Sequence, residues 1–105
     1  MFPFKGLNLL VDGIDISAEL PNWSIDSGAK SIKREFRFSD FKQAFEFMTL
    51  SAQYAEEINH HPDWSNSWNK VTVELSTHSA GTLTRLDIQL AKAMDSFASQ
   101  VAKTN

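Results

Sequence analysis

A chain of 105 residues with a formal charge of −3 is expected to form one domain, residues 1–105, with a single modest core. Basic and acidic residues are interleaved, without the Lys/Arg stripe that phosphate neutralisation needs, which argues against direct DNA or RNA binding. The chain has no cysteine, so disulfides and Cys-ligated zinc are excluded, and no stretch approaches the ~20 apolar residues of a membrane span.

The first apolar run, from Met1 and Phe2 onward, is short and is broken by Asn8 and Asp12, which makes a poor secretory signal. The expectation is a soluble, cytoplasmic protein. Residues 1–20 read as an N-terminal extension whose part 14–20 could form a short helix ending before Pro21. Trp23-Ser24-Ile25 reads as a short strand and Asp26-Ser27-Gly28 as a turn. Over residues 31–38, Ile32, Arg34, Phe36 and Phe38 share one face while Lys33, Glu35 and Arg37 share the other, as in a half-buried antiparallel strand.

Ser39 or Asp40 can cap the next element. Phe41, Phe45, Met48, Ala52, Ala55 and Ile58 recur by fours and threes, which predicts a helix of about five turns with that row as its buried stripe. Pro62 is expected to stop it, because the residue before a proline is pushed out of helical conformation. A turn carrying Trp64 and Trp68 follows, with Trp68 expected in the core. Val71, Val73 and Leu75 alternate with Thr72, Glu74 and Ser76 as a strand, and Ser79-Ala80-Gly81-Thr82 is a loop. Thr84 opens a last helix with Leu83, Leu86, Leu90, Met94, Phe97 and Val101 near one face, and Ile88 and Ala91 widen that apolar surface. Two amphipathic helices and several antiparallel strands give an α+β two-layer sandwich.

All three histidines fall within residues 56–87: Glu56, then His60-His61-Pro62, then His78, then Asp87. Histidine titrates near pH 6.5, so this concentration suits acid–base chemistry. If the helix still holds at its end, His60 and His61 diverge by roughly 100° and cannot pair on one face. Glu56 lies one helical turn before His60, either as a solvated pair or as the carboxylate that orients that imidazole. Asp87 stands at the third position of a capping box begun by Thr84 and could both cap the helix and shape the site. Trp64, beside the histidines, could offer a flat wall to a planar ring. Three histidines could also hold zinc, but the adjacent pair diverges and the helical His-x-x-x-His spacing is absent, so no metal is expected.

The pattern Glu-Glu-Ile-Asn-His-His-Pro-Asp-Trp, followed by Ser76-Thr77-His78 and Leu83-Thr84-Arg85-Leu86-Asp87, resembles the pterin-4a-carbinolamine dehydratase family. The likeness extends through Trp23, Phe36-Arg37-Phe38 and the helix beginning at Phe41, covering roughly residues 20–100. The resemblance implies a four-stranded antiparallel sheet with two main helices packed on one face, assembled as a homodimer or homotetramer. It implies dehydration of 4a-hydroxytetrahydrobiopterin, or a related hydroxypterin, to the quinonoid dihydropterin, with no cofactor, in recycling of the pterin used by an aromatic amino-acid hydroxylase. By the same resemblance His60 and His78 transfer protons and His61 holds the pterin. Asn59, Ser76, Thr77 and Ser79 would contact the substrate, with Glu56, Trp64, Asp87 and Trp23 around it. The alternative is a non-catalytic pterin-binding module or a transcription-coactivator and dimerisation module.

Overall fold

The computed structural model describes residues 9–103; residues 1–8 of the expected N-terminal extension lie outside the described residues. Strands β1 (Leu10–Val11) and β2 (Ile14–Asp15) form a two-stranded hairpin, followed by the short helix α1 (Ile16–Glu19). The hairpin turn is Asp12-Gly13, both at positive φ (54° and 81°), the conformation that an Asp-Gly pair favours in tight hairpins. The short helix expected over residues 14–20 is thus confined to Ile16–Glu19, because the turn commits Ile14 and Asp15 to strand pairing and Asp15 then caps the helix at Ala18 N.

Strands β3 (Ser24–Ile25), β4 (Ile32–Arg37), β5 (Asp63–Ser67) and β6 (Lys70–Leu75) form one antiparallel sheet in the order β3-β4-β6-β5. Helices α2 (Phe41–Ile58) and α3 (Arg85–Lys103) pack against each other, and the core lies between them and the sheet. This is the expected α+β arrangement. Alternation decides which strand residues go inward: Ile32 and Phe36 of β4 and Val71, Val73 and Leu75 of β6 are buried. Phe47 meets Phe36 and Phe38 at ring-centroid distances of 4.6 and 5.1 Å, joining helix to sheet. Arg34, on the same face, lays its guanidinium over Phe36 at 4.2 Å and pairs with Asp95 of α3, so its charge is compensated where its stem is covered.

Three expectations are corrected. Of the expected row of α2, Ala55 is buried and Met48 and Ile58 pack partly buried against the core, but Ala52 is exposed and Phe41 and Phe45 stay about half exposed, and the buried face is completed by Gln43, Ala44, Phe47 and Ser51. Small residues at 44, 51 and 55 let α2 approach its neighbours closely, which the neighbouring Phe41-Phe45-Met48 row would prevent. The segment after Pro62 is strand β5 and not merely a turn, and Trp68 is exposed in the β5–β6 hairpin at φ 52°. Ile88 and Ala91 are buried within the chain, so they do not widen any outer surface.

Candidate active site

The helix α2 ends before Pro62 can act. Asn59 takes a left-handed conformation (φ 53°, ψ 47°), and its N–H and that of His60 return to the carbonyls of the last turn, closing the helix at Ile58. His60 and His61 therefore lie beyond the helix, in the segment that leads into β5. They do diverge, each toward a different helix, but from beyond the helix end and not as neighbours on a helical turn. His60 turns inward and His61 outward.

The inward histidine meets α3. His60 Nε2 donates to Asp87 Oδ1 at 2.7 Å, and Asp87 is completely buried. The other carboxylate oxygen of Asp87 accepts from Thr77 Oγ1 at 2.8 Å and from the Thr84 N–H at 2.9 Å. The last of these is the reciprocal half of the capping box, so Asp87 ends the orphan donor at the start of α3 and fixes His60 at once. Because a buried carboxylate in this setting accepts, the proton of the neutral imidazole sits on Nε2 and its lone pair on Nδ1.

The outward histidine pairs with α2. His61 Nε2 lies 2.6 Å from Glu56 Oε2, with both groups more than half exposed. Helical spacing pairs Glu56 with His60, either solvated or orienting; the left-handed turn at Asn59 instead swings His60 away to α3 and brings His61 back over Glu56. His78 is the most exposed of the three, 3.4 Å from Ser76 Oγ and 3.6 Å from Asp63 Oδ2. The second separation is too long for a hydrogen bond and acts only as charge proximity when the ring is protonated. Each histidine thus faces one carboxylate, in a series from buried to exposed.

A cavity of about 330 Å³ lies between residues 59–63 and 76–79. It brings together Asn59, His60, His61, Ser76, Thr77, His78 and Ser79, all of them expected at the site from the sequence. Asp87 lies behind it, touching His60 and Thr77, and Glu56 touches it only through His61. Trp64 is on β5, packed against the core and not among the lining residues, and Trp23 is a core residue whose Nε1 donates to Asp95 at 2.9 Å. Asp63 lines the cavity and was missed from the sequence, although its place directly after His-His-Pro was a usable signal. Two larger hollows, of about 570 and 510 Å³, hold none of the histidines. The smaller one gathers all three histidines and is the better site candidate. Among the described residues no three His, Asp or Glu side chains are grouped to hold a metal ion, and no helix is long and apolar enough to cross a membrane.

The family model described as pterin 4 alpha carbinolamine dehydratase matches residues 11–97. A protein of Rhizorhabdus wittichii named "putative pterin-4-alpha-carbinolamine dehydratase" is 49% identical over 79 residues, 75% of this chain and 81% of that protein. One of the same name from Mesorhizobium japonicum is 52% identical over 80 residues, 76% of this chain and 82% of the relative. A solved structure described as a transcriptional coactivator/pterin dehydratase from Brucella melitensis superposes with a TM-score of 0.75 at 39% identity, covering 88% of this chain and 99% of that one. A pterin dehydratase-like protein described as a RuBisCO assembly factor in the alpha-carboxysome shares the fold, with a TM-score of 0.65 at 20% identity over 76% of this chain and 93% of its own.

Proposed function

The chain belongs to the pterin-4a-carbinolamine dehydratase family, and from that membership we propose that it dehydrates 4a-hydroxytetrahydrobiopterin, or a related hydroxypterin, to the quinonoid dihydropterin. The observation that carries the reading is the meeting of all three histidines of the chain at one cavity. Ligand pockets run upward from about 300 Å³, so this hollow is of a size for one small planar heterocycle.

The reaction removes a hydroxyl from the 4a carbon and a proton from the adjacent ring nitrogen. The nitrogen lone pair forms the new C=N bond as the C–O bond breaks, and the hydroxyl leaves as water once protonated. One acid and one base supply both transfers. His60 and His78 take these roles: the first is buried with its tautomer fixed by Asp87, and the second is open to solvent and can exchange its proton there. His61, held by Glu56, holds and polarises the pterin. Asn59, Ser76 and Ser79 supply polar groups along the same walls. The reaction involves no net redox change and draws on no cofactor.

The physiological setting in this reading is recycling of pterin for an aromatic amino-acid hydroxylase, in the cytoplasm. The same reading includes a homodimer or homotetramer, supported by the half-exposed Phe41 and Phe45 on α2, whose rings lie 5.8 Å apart. That exposed pair also favours a second reading, an association module, in which the protein binds a partner and does not turn over pterin. Purified protein mixed with freshly generated carbinolamine separates them. Faster loss of water than in buffer supports the enzyme; an unchanged rate overturns it.

A further inference from the structure

Thr77 lines the cavity, but its hydroxyl proton is committed inside the protein. Thr77 Oγ1 lies 2.8 Å from Asp87 Oδ2 and 2.7 Å from Thr84 Oγ1, and Thr77 is 9% exposed. A hydroxyl has one proton to give, and the carboxylate can only accept. The proton of Thr77 therefore goes to Asp87, and that of Thr84 goes to Thr77. Thr84 Oγ1 in turn accepts from the Leu86 N–H at 3.3 Å in the first turn of α3. The polarity of the chain is fixed from end to end: Thr84 to Thr77 to Asp87, with His60 donating into the other oxygen of the same carboxylate.

We propose that Thr77 and Thr84 are positioning residues for proton transfer, which lock the carboxylate of Asp87 and through it hold His60 with Nε2 protonated and Nδ1 bare. The proposal rests on the dehydratase reading for its kinetic consequence and on geometry alone for its structural one. Without the Thr77 hydroxyl, Oδ2 keeps only the Thr84 N–H, and the carboxylate can rotate about its χ2 axis away from the imidazole. Without the Thr84 hydroxyl, Thr77 loses the donor that holds its own rotamer. Neither change removes a hydroxyl proton that is free to reach a substrate, since that of Thr84 goes to Thr77 and that of Thr77 to Asp87.

The test uses Thr77→Val, Thr84→Val, their double variant and the two Ser variants. Imidazole nitrogen NMR shifts of His60 report its tautomer in the free protein, and kcat and KM are read with freshly generated carbinolamine. The expected result is a mixed tautomer and a fall in kcat of about tenfold in Thr77→Val, smaller in Thr84→Val, with KM little changed and both recovered by Ser. The double variant should be no worse than Thr77→Val alone, because links of one chain are not additive. Unchanged His60 nitrogen shifts in both Val variants would overturn the proposal. So would a rise in KM at constant kcat, which would make Thr77 a substrate contact. If the wild type does not accelerate dehydration, the functional reading fails, while the NMR arm still decides the tautomer lock.

Discussion

His60 and Asp87 are 27 positions apart in the chain, yet their side chains meet at 2.7 Å, with the carboxylate wholly buried. This contact joins the end of α2 to the start of α3, so one residue serves both the fold and the site. Asp87→Ala should therefore lose stability as well as turnover. It would strip partners from His60, Thr77 and the Thr84 N–H, and a buried polar group left unpaired costs roughly 1–3 kcal/mol. A net loss on the order of 3 kcal/mol is expected by urea unfolding. A loss below about 0.5 kcal/mol would show that the three bonds contribute little.

His60→Ala and His78→Ala should each cut turnover by at least about tenfold while leaving a folded protein, since general acid–base groups typically contribute ~10²–10⁴-fold. Their effects on stability should differ. His78 is exposed over 84% of its side chain and its loss should scarcely move the melting temperature, whereas loss of His60 leaves Asp87 short of a partner. Circular dichroism beside steady-state rates checks both. Wild-type rates in both variants at saturating substrate would refute the proton-transfer assignment.

Much of this architecture was legible because burial imposes periodicity. Strands β4 and β6 alternate cleanly, and α2 and α3 repeat by threes and fours, so their spans could be read. Strand β5 could not: Asp63-Trp64-Ser65-Asn66-Ser67 is an edge strand with one apolar residue, and its place comes from pairing with β6. The β1–β2 hairpin has a local signal in Asp12-Gly13, which outweighs the helical pattern at Ile14 and Asp15.

The buried row of α2 is ambiguous in the sequence for a different reason. Two apolar rows run side by side, and the bulkier one, through Phe41 and Phe45, looked like the core. Close packing chose the row with Ala44, Ser51 and Ala55 around Phe47. At the site, the histidine set was legible from spacing, but the assignment of carboxylates to histidines was not. It depends on the left-handed turn at Asn59, which moves Glu56 from His60 to His61 and gives His60 to a residue on another helix.

The turn between β3 and β4 gives a pH-dependent prediction. The Ser31 and Lys30 N–H groups donate to Asp26 Oδ1 and hold its carboxyl below the usual range, Ser31 having the larger effect. A carboxyl depressed in the folded state contributes stability that is present above its unfolded value of about 3.9 and is lost as pH falls through the folded value. Asp26→Asn should therefore be less stable than wild type at neutral pH, with the gap closing as the pH falls below the unfolded value of about 3.9. Urea midpoints for both proteins across that range decide it. A gap that stays constant with pH would mean that the charge of Asp26 has no part in the turn.

The exposed aromatic pair on α2 predicts how copies associate. Phe41 and Phe45 are 47% and 57% exposed, while the inward row of the same helix is complete without them. Changing both to Glu should leave the monomer folded, because neither side chain fills the core. It should break self-association, because carboxylates would have to be desolvated where two apolar faces meet. Closed two-fold pairing is the commonest arrangement for a self-complementary patch, so the wild type should scatter light as a dimer or tetramer. The variant should scatter as a monomer with an unchanged circular dichroism spectrum. A strictly monomeric wild type at high micromolar concentration would refute the assembly. An oligomer that survives Phe41→Glu with Phe45→Glu would place the contact on another surface, such as the open edge of β5.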